Sequence, residues 1–297
     1  MFDILVLNYN DARTTIDFVE SVKEFTSVRK ILVVDNHSSD GSLDLLKKIE
    51  TEKIIVVDSG MNRGYGAGNN FGIRYLNEHY GSEYILLSNP DVIVKEKDLV
   101  ELESFLRNNS TYAIVAPFML DCEGKKLYST AFRIPSKWES ILSIHFLLRK
   151  LTNSIYYKNI ESETQRVKDV GAVAGSMLMM RTKDMLEYGM YDENIFLYCE
   201  ELILGMKMQK ACKKTAVLTD CSYIHNHSVT ISKMYKTRVS KRRLYTNSTL
   251  YTLKHYYRAN LLELTFARLL AKWSMFELWC DEILKMFKLC CRNICKQ

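Results

Sequence analysis

Four apolar runs, each about the length of a β-strand, recur at nearly regular intervals through the first ninety residues. The segments between them place apolar side chains at the three- and four-residue spacing of an amphipathic helix. Strands that alternate with helices of about a dozen residues pair in parallel through right-handed crossovers. The sequence therefore predicts a doubly wound, mostly parallel α/β sheet over residues 1–100. Its strands are residues 4–9, 30–35, 53–58 and 84–88, and its helices are residues 11–25, 39–50 and 68–80.

Each of these strands ends in short polar side chains. The ends read LNYND (7–11), VDNHSSDG (34–41), VDSGMNRGYGAGNN (57–70) and SNPDV (88–92). Ligands of doubly wound sheets bind beyond the carboxyl ends of the strands. Turn formation alone also favours Asn, Asp, Ser and Gly. Four such ends together indicate the rim of one ligand crevice.

Three of the strand ends carry groups suited to a nucleotide or a metal. Asp35, at a strand tip, either accepts hydrogen bonds from a base or sugar or orders its own loop. Arg63 and Gly64 precede a helix, where close glycines admit phosphates to the backbone, although the spacing fits neither a P-loop nor the dinucleotide fingerprint. Asp91 follows Pro90, which ends the strand, and offers a carboxylate to a hard divalent cation.

Two later segments carry acidic and imidazole side chains. Glu200 and Glu201 stand at the start of a predicted helix, where neighbours point about 100° apart, so one of them is expected to face the crevice as a general base. Acidic residues also suit a helix N-terminus for electrostatic reasons alone. His225 and His227 alternate along a predicted strand and share one face, which fits a metal or phosphate site, although the pattern alone favours ordinary packed or exposed histidines.

The composition is that of an ordinary globular chain. Of the 297 residues, 47% are hydrophobic and 26% are charged, which argues against extended disorder. The eight cysteines include no CxxC pair and predict reduced thiols, without the paired spacing of a zinc site. The N-terminal residues lack a signal-peptide pattern, and no stretch reaches the roughly 20 apolar residues that span a bilayer. The expected location is cytoplasmic.

The C-terminal part of the chain is basic and helical in pattern. Residues 233–243 read KMYKTRVSKRR, and from Leu244 onward apolar and aromatic side chains recur at helical intervals with lysines and arginines between them. Such a segment is either an appendage that packs on the core or a partner, or a helix that lies in the plane of a membrane surface. A net charge of +6 over the whole chain is too small for a nucleic-acid-binding domain, so nucleic acid is not expected as a partner.

Taken in order, these segments resemble the family 2 glycosyltransferases, inverting enzymes with a glycosyltransferase-A fold, and among them the rhamnosyltransferase-like subgroup of bacterial polysaccharide assembly. The likeness covers about residues 3–235 and is carried by LNYN, VVDNHSSDGS, NRGYGAGNNFGI, YILLSNPDV, AGSMLMMR, YGMYDENIFLYCEE and YIHNHS. It implies a catalytic domain over residues 1–235, with a nucleotide-sugar half at 1–100 and an acceptor half at 101–235. Residues 236–297 would form a basic, amphipathic helical appendage.

The resemblance also implies a donor site along the strand ends. Within it, Asp35 would lie near the nucleoside base, and Arg63 and Gly64 near the ribose or diphosphate. The residues that match the family's donor-binding positions are Asn8, Tyr9, Asp35, Asn36, Arg63, Gly64, Asn69 and Asn89.

A metal site is implied beside the donor. Asp91 matches the last aspartate of the family's Asp-x-Asp motif, whose first position is Asn89 here, a variant that the subgroup shares. His225 matches a histidine near the metal or diphosphate. The cofactor expected from the resemblance is Mg²⁺ or Mn²⁺.

The paired acids match the family's Glu-Asp, whose second member is the base. Glu201 is therefore the predicted base, and Glu200 is the reserve. The chain departs from the pattern twice, because a glutamate replaces the aspartate and Ile203 stands where the family often has another aspartate. A catalytically impaired relative that binds nucleotide or glycan is thus the alternative reading.

The reaction implied is a metal-dependent hexosyl or rhamnosyl transfer, with inversion, from a UDP-, dTDP- or GDP-sugar to a glycan or lipid-linked saccharide in cell-surface polysaccharide synthesis. The enzyme is expected in the cytoplasm or at the inner face of the cell membrane, which it would contact through its C-terminal helices. A nucleotidyltransferase is a third reading, but residues 7–14 (LNYNDART) contain no glycine for its first loop.

Overall fold

The chain forms two compact units. This computed structural model describes residues 1–157, 160, 164–226 and 237–294. Unit 1 comprises Met1–Ile134 and Ser154–Thr230, and unit 2 comprises Pro135–Asn153 and Ile231–Gln297. By their contacts, residues 135–153 belong with the C-terminal helices, whereas the functional division at residue 235 stays a prediction.

Unit 1 contains strands and helices in alternation. Its strands are β1 (Phe2–Asn8), β2 (Val28–Asp35), β3 (Ile54–Asp58), β4 (Tyr84–Ser88), β5 (Val92–Val94), β6 (Tyr112–Leu120), β7 (Ala131–Phe132), β8 (Val167–Val170), β9 (Ala172–Val173), β10 (Met177–Arg181) and β11 (Lys214–His225). Its helices are α1 (Ala12–Val22), α2 (Ser42–Lys47), α3 (Tyr65–Tyr80), α4 (Glu96–Asn108), α6 (Thr182–Glu187) and α7 (Glu200–Lys210), with a 3-10 turn at Tyr128–Thr130.

The strands build a mixed, mostly parallel sheet in the order β3-β2-β1-β4-β10-β6-β11-β5, with β8 beside β11. Parallel pairs join β1 to β2 and β4, β2 to β3, and β6 to β11, while β10, β5 and β8 run antiparallel to their neighbours. Strands β7 and β9 form a separate two-stranded sheet. The predicted α/β sheet is confirmed, and strand order reverses between β1 and β4, where ligands of such sheets bind.

Successive side chains of a central strand enter two different cores. Ile4 and Val6 of β1 pack in the same cluster as Phe18 of α1, whereas Leu5 packs in a second cluster with Ile73 of α3. The sheet is therefore covered on both faces. Strands in that position are apolar along their whole length, which is why the sequence pattern identified them.

Helix α3 begins at Tyr65, three residues before the predicted start at Gly68. A Cβ on Gly66 would come within 2.8 Å of the Tyr191 Cβ, and a Cβ on Gly68 within 2.6 Å of the Leu7 Cδ1. These two glycines therefore allow the helix to pack closely against its neighbours. The predicted start was wrong because glycine is a poor helix former, so a glycine-rich segment reads as a loop.

Unit 2 is helical, as predicted for the C-terminal region. Its helices are α5 (Lys137–Leu142), α8 (Arg238–His255) and α9 (Leu261–Ile294), and Leu148–Leu151 forms a 3-10 turn. Helix α8 starts before the expected position at Leu244 because the Thr237 side chain caps it by accepting from the Ser240 N–H. The buried residues that the helices share are Ile141, Ile144, Leu253, Leu264, Ala267, Leu270 and Ala271.

Two sequence features fall partly or wholly outside the described residues, namely His227 and residues 233–236 of the basic run. The rest of that run, residues 237–243, leads into and forms the first turns of α8. None of the helices described here combines the length and the apolar character needed to cross a membrane.

Candidate functional site

Hydrogen bonds tie together the carboxyl ends of β1 and β2. The Asn8 amide donates to Asp35 Oδ1 at 2.7 Å, and the Ser38 backbone N–H donates to Asp35 Oδ2 at 2.8 Å. The Thr15 hydroxyl holds the other side of the amide by donating to Asn8 Oδ1 at 2.8 Å. Asp35 is fully buried, so its carboxylate orders this loop. Tyr9 is half-buried, and contact of these residues with a nucleoside stays a prediction.

Asn36 links the loop after β2 to the turn before α3. Its amide donates to Asn62 Oδ1 at 3.1 Å and to the Gly64 carbonyl at 3.3 Å, and the Ser59 hydroxyl donates to Asn36 Oδ1 at 3.1 Å. Gly64 has a φ of +97°, and a Cβ there would lie 2.3 Å from the Phe196 carbonyl oxygen. Glycine is thus required by backbone conformation and by this close approach. Its predicted contact with ribose or diphosphate stays a prediction.

Asn70 fastens α3 to the segment that leads towards the acidic pair. Its side-chain amide donates to the Tyr191 carbonyl at 2.9 Å, and its Oδ1 accepts from the Tyr191 N–H at 2.8 Å. Asn69, also buried, donates to the Tyr65 carbonyl at 3.0 Å within the helix. The two asparagines therefore support the glycine-rich segment, and donor binding by Asn69 stays a prediction.

Glu193 gathers three neighbours at the edge of this segment. The Asn70 amide donates to Glu193 Oε1 at 3.0 Å, and Arg63 and Arg74 each approach the carboxylate at 3.1 Å. Burial would raise the pKa of Glu193, but the hydrogen bonds from Asn70 and Arg74, together with the charges of Arg74 and Arg63, lower that pKa. The Arg63 side chain is 56% exposed, so it remains accessible to solvent while paired.

The Pro90–Asp91 turn carries the chain from β4, inside the sheet, to β5 at its edge. Strand β5 pairs antiparallel with the end of β11, which places His225 opposite Val92. Asp91 Oδ1 therefore lies 3.3 Å from His225 Nε2, and the Asn226 N–H donates to the Asp91 carbonyl at 3.0 Å. The interruption of the apolar run at residues 89–91 is the point where the chain changes its place in the sheet.

The Asp91–His225 pair can contribute to a metal site but does not form one alone. In the part of the chain described, no group of three or more His, Cys, Asp or Glu residues could hold a metal. Mg²⁺ is commonly held by one or two carboxylates, with water and substrate phosphates completing its shell. Asp91 Oδ2 is buried and receives no hydrogen bond from the described residues. The donor set fits a cation that is bound jointly with a diphosphate.

A turn at Gly175–Ser176, just before β10, connects the predicted site residues. The Tyr65 hydroxyl donates to the Gly175 carbonyl at 2.7 Å, and the Asn89 N–H donates to the Ser176 carbonyl at 2.8 Å. The Glu201 carboxylate lies against Gly175, since a Cβ on Gly175 would lie 2.5 Å from Glu201 Oε1. The turn thus joins the start of α3, the half-buried Asn89 and the acidic pair.

Glu200 and Glu201 open helix α7 as predicted, but their surroundings differ. Glu200 is 3% exposed, and no described residue donates a hydrogen bond to its Oε1. Burial, followed by the charge of Glu201, raises the pKa of Glu200 well above its usual range. Burial also raises the pKa of Glu201, against the effect of the N–H groups of Glu201 and Gly175. Glu200 is enclosed, whereas Glu201 reaches the turn that carries other site residues.

The chain enters α7 through strained backbone. Tyr198 and Cys199 both have left-handed conformations, with φ values of +71° and +72°. Such conformations cost about 1–3 kcal/mol for a non-glycine residue and concentrate at functional sites. The entry to the acidic pair is thus held in place by the surrounding structure.

Comparison with known proteins assigns the family. Residues 3–184 match the family described as Glycosyl transferase family 2, which is more than half of the 297 residues. The chain belongs to glycosyl transferase family 2. The predicted resemblance is therefore confirmed.

Curated relatives of this family 2 glycosyltransferase act in glycan synthesis or rhamnose transfer, according to their names. Low-salt glycan biosynthesis hexosyltransferase Agl10 of Haloferax volcanii is 28% identical over 226 residues, which cover 76% of this chain and 67% of that protein. Rhamnosyltransferase WbbL of Escherichia coli K12 is 30% identical over 188 residues, covering 61% and 67%. An N-acetylglucosaminyl-diphospho-decaprenol L-rhamnosyltransferase of Mycobacterium tuberculosis is 23% identical over 207 residues, covering 66% of each.

Solved structures with the same fold include two with a nucleotide and Mn²⁺. GalNAc-T7 with UDP, GalNAc and Mn²⁺ gives a TM-score of 0.57 at 14% identity, covering 94% of this chain and 56% of that one. The mannosyltransferase PcManGT from Pyrobaculum calidifontis, in complex with GDP-Man and Mn²⁺, gives 0.55 at 12% identity, covering 94% and 72%. At these identities the likeness shows the fold, and this family 2 glycosyltransferase has the glycosyltransferase-A fold.

The Gly175–Ser176 turn was not among the site residues predicted from the sequence. The signal for it is a Gly-Ser pair placed directly before the apolar run of β10, the arrangement already seen at the other strand ends. Because β10 runs antiparallel to β4, it is the amino end of β10 that lies beside the carboxyl end of β4. A search restricted to carboxyl ends therefore passes over it.

Proposed function

We propose that this family 2 glycosyltransferase moves a sugar from a nucleotide-diphosphate donor to a hydroxyl of a glycan or lipid-linked saccharide, with inversion at the anomeric carbon. The observation that carries the proposal is the Gly175–Ser176 turn. At this turn the Glu201 carboxylate lies against Gly175, where a Cβ would be 2.5 Å from Glu201 Oε1, and the Ser176 carbonyl accepts from the N–H of Asn89, two residues before Asp91. A base for the acceptor and a group that neutralises the leaving diphosphate are the two needs of such a displacement.

Glu201 is the base in this proposal. It takes the proton of the acceptor hydroxyl as that oxygen bonds to the anomeric carbon, while the bond from this carbon to the diphosphate oxygen breaks and the nucleoside diphosphate leaves. A carboxylate whose pKa is raised by burial accepts a proton more readily near neutral pH, which suits a general base. Glu200, which is 3% exposed, has less access to an acceptor.

The donor in this proposal lies along the ends of β1 and β2 and the start of α3. The nucleoside is assigned to Asn8, Tyr9, Asp35 and Asn36, and the ribose and diphosphate to Arg63, Gly64, Asn69 and Asn89. The proposed donor is a UDP-, dTDP- or GDP-sugar, and support for a nucleotide-diphosphate sugar comes from the two structures of the same fold that contain UDP and GDP-Man. The Arg63 guanidinium is exposed and matches the charge of a diphosphate.

Asp91 and His225 are proposed to hold Mg²⁺ or Mn²⁺ together with the donor. When bound, the cation would offset the negative charge that develops on the diphosphate. Support comes from the buried Asp91 Oδ2, which lacks a hydrogen bond from the described residues, and from the Mn²⁺ in both structures of the same fold.

The acceptor class and the location rest on the relatives. One relative is named for transfer to N-acetylglucosaminyl-diphospho-decaprenol, which is lipid-linked, and another for low-salt glycan biosynthesis. A rhamnosyl or hexosyl transfer in cell-surface polysaccharide synthesis, at the cytoplasmic face of a membrane, is the corresponding proposal for this chain.

Two experiments, first nucleotide binding and then turnover, test the proposal. Thermal shift with UDP-, dTDP- and GDP-sugars, each with and without Mn²⁺, identifies the donor. Release of the nucleoside diphosphate then measures transfer. Glu201→Gln is expected to lower kcat by about 10²–10⁴-fold, because it removes a general base. Asp91→Ala or chelation of the cation is expected to reduce turnover by about 100-fold or more. Glu78→Gln, which alters an exposed carboxyl of α3, is the control and retains turnover.

Each outcome has a defined meaning. Turnover that survives Asp91→Ala contradicts the assigned metal site, and turnover that survives Glu201→Gln contradicts the assigned base. A donor-dependent thermal shift in the unchanged chain, without turnover by any donor, would favour the impaired binding relative. Both variants should keep the unfolding temperature of the unchanged chain within a few degrees.

A further inference from the structure

The charges of the chain are divided unequally between the two units. Counted on the sequence, unit 2 has 17 Lys and Arg against 5 Asp and Glu, a net charge of +12. Unit 1 has 24 Lys and Arg against 30 Asp and Glu, a net charge of −6. The modest total of +6 therefore conceals one strongly cationic unit, whose field attracts anionic partners.

The acidic residues of unit 2 are largely engaged inside the unit. Glu263 pairs with Lys137 at 2.6 Å, and Asp281 pairs with Arg238 at 2.9 Å. Glu139 belongs to the capping box of α5. The remaining cations of the unit have few anions with which to pair.

Three of these cations line one open groove between α8 and α9. Arg243 comes from α8, and Arg268 and Lys272 come from α9, one helical turn apart. All three are exposed, and none forms an ion pair with a residue that the structure describes. The groove has a volume of about 380 Å³ and its apolar part is formed by Leu250, Ala271 and Met275. Guanidinium and ammonium groups over an apolar floor suit a phosphate that carries a hydrocarbon chain.

An apolar stripe runs along α9 beside the groove. Its members are between 41% and 81% exposed and recur at intervals of four and three residues: Leu262, Phe266, Leu269, Trp273 and Phe276. Arg268 and Lys272 directly precede two members of the stripe, so they lie about 100° from it around the helix. Large apolar and aromatic side chains bordered by cations are typical of a helix that lies in a membrane interface.

We propose that unit 2 docks on an anionic phospholipid surface. The lipid phosphates occupy the groove of Arg243, Arg268 and Lys272, and the stripe enters the boundary between headgroups and acyl chains. A second copy of the chain could also cover a stripe with this spacing. The charge of +12 on each unit 2 opposes that association and favours an anionic surface. The proposal does not depend on the sugar-transfer reaction.

Vesicle partitioning of the full chain tests the proposal without donor or acceptor. The chain is expected to sediment with vesicles of phosphatidylcholine and phosphatidylglycerol, far less with phosphatidylcholine alone, and less as salt is raised. The groove variant Arg243→Gln, Arg268→Gln, Lys272→Gln should bind anionic vesicles about 100-fold more weakly, at roughly a fivefold loss per cation. The control variant Lys48→Gln, Lys125→Gln, Lys210→Gln removes three exposed charges from unit 1 and should bind like the unchanged chain.

A variant of the apolar stripe distinguishes docking on a lipid surface from association with a second copy of the chain. Leu262→Ser, Leu269→Ser, Phe276→Ser should lower vesicle binding by about tenfold or more, because it removes apolar area that enters the lipid. Circular dichroism verifies that the helices persist. Equal vesicle binding by the groove variant and the control would overturn the proposal. So would a dimer, detected by sedimentation, that the stripe variant dissociates while vesicle binding is unchanged.

Discussion

The two adjacent glutamates at the start of α7 have the same side chain but different burial and contacts, because they point in different directions from the helix. Residues next to each other on a helix point about 100° apart, so Glu200 enters the interior while Glu201 reaches Gly175. Burial of Glu200 without a described donor at Oε1 makes its ionised form costly. Because its pKa is raised in the folded state, Glu200 also makes the free energy of unfolding depend on pH.

The free energy of unfolding should depend on pH through Glu200. An unfolded glutamate has a pKa of about 4.3, and burial raises the folded value. Between the two, the folded chain binds more protons than the unfolded chain, so stability falls as pH rises through that window. Glu200→Gln removes this loss and should stabilise the protein at pH 8 by about 1–3 kcal/mol. Urea unfolding from pH 5 to pH 8 measures it.

The same variant separates the two acids functionally. Because Glu201 is the proposed base, Glu200→Gln should retain turnover within about tenfold, in contrast to Glu201→Gln. Glu78→Gln, exposed on α3, should follow the unchanged chain at every pH. A Glu200→Gln variant with the original pH dependence would show that another group causes it.

Among the secondary-structure elements of the first ninety residues, the four strands could be predicted and the start of α3 could not. Central strands covered on both faces are apolar along their length. Each of the first four strands also ends at a polar residue, which marks its end in the sequence. The first turn of α3 cannot be recognised from the sequence, because Gly66 and Gly68 have low helix propensity. Glycine is present at these positions because the helix packs closely against its neighbours there. Local sequence records the propensity of a residue but not the neighbour that folds against it.

For the candidate site, the sequence indicated the strand ends but not the contacts that depend on pairing between distant strands. The fold class indicates the carboxyl ends of the parallel strands as the place of the site, and the structure ties the ends of β1 and β2 together by hydrogen bonds, while donor binding there stays a prediction. Gly175 and Ser176 were not predicted as site residues, although their segment AGSMLMMR is part of the family resemblance, because their turn lies before an antiparallel strand from the second half of the chain. The partnership of Asp91 with His225 depends on the pairing of β5 with β11, which no local pattern specifies.

At Gly72 in helix α3, helix propensity favours alanine whereas packing against the sheet disfavours it, so this position tests which effect is larger. Replacing a glycine inside a helix by alanine ordinarily stabilises it by about 1 kcal/mol. At Gly72, however, a Cβ would lie 2.3 Å from the Leu5 Cδ1 and 3.1 Å from the Val34 Cγ2. Gly72→Ala should therefore destabilise the protein by about 1–3 kcal/mol through overpacking, measured by urea unfolding. Adding Leu5→Val should restore part of the loss, and simple additivity of the two changes would contradict the contact.

At the scale of the whole molecule, the chain leaves unit 1 and later returns to the same place. The Arg133 N–H donates to the Ile155 carbonyl at 2.8 Å, and Phe132 bridges to Tyr156. Residues 135–153, which lie between these points, contribute Ile141 and Ile144 to the core of unit 2. A boundary drawn from sequence at residue 235 separates these isoleucines from α8 and α9, because a single boundary cannot describe a unit made of two segments.

Two truncations test this arrangement. A chain that ends at residue 235 retains Ile141 and Ile144 but loses the helices that bury them, and each fully buried isoleucine contributes about 1.5–3 kcal/mol. That chain should bind a hydrophobic dye and aggregate. A second chain, which also replaces residues 135–153 by four Gly and Ser residues, should stay soluble and unfold cooperatively, because the ends of the replaced segment are already adjacent. Light scattering and thermal unfolding compare the two, and equal aggregation of both chains would show that unit 1 does not fold by itself.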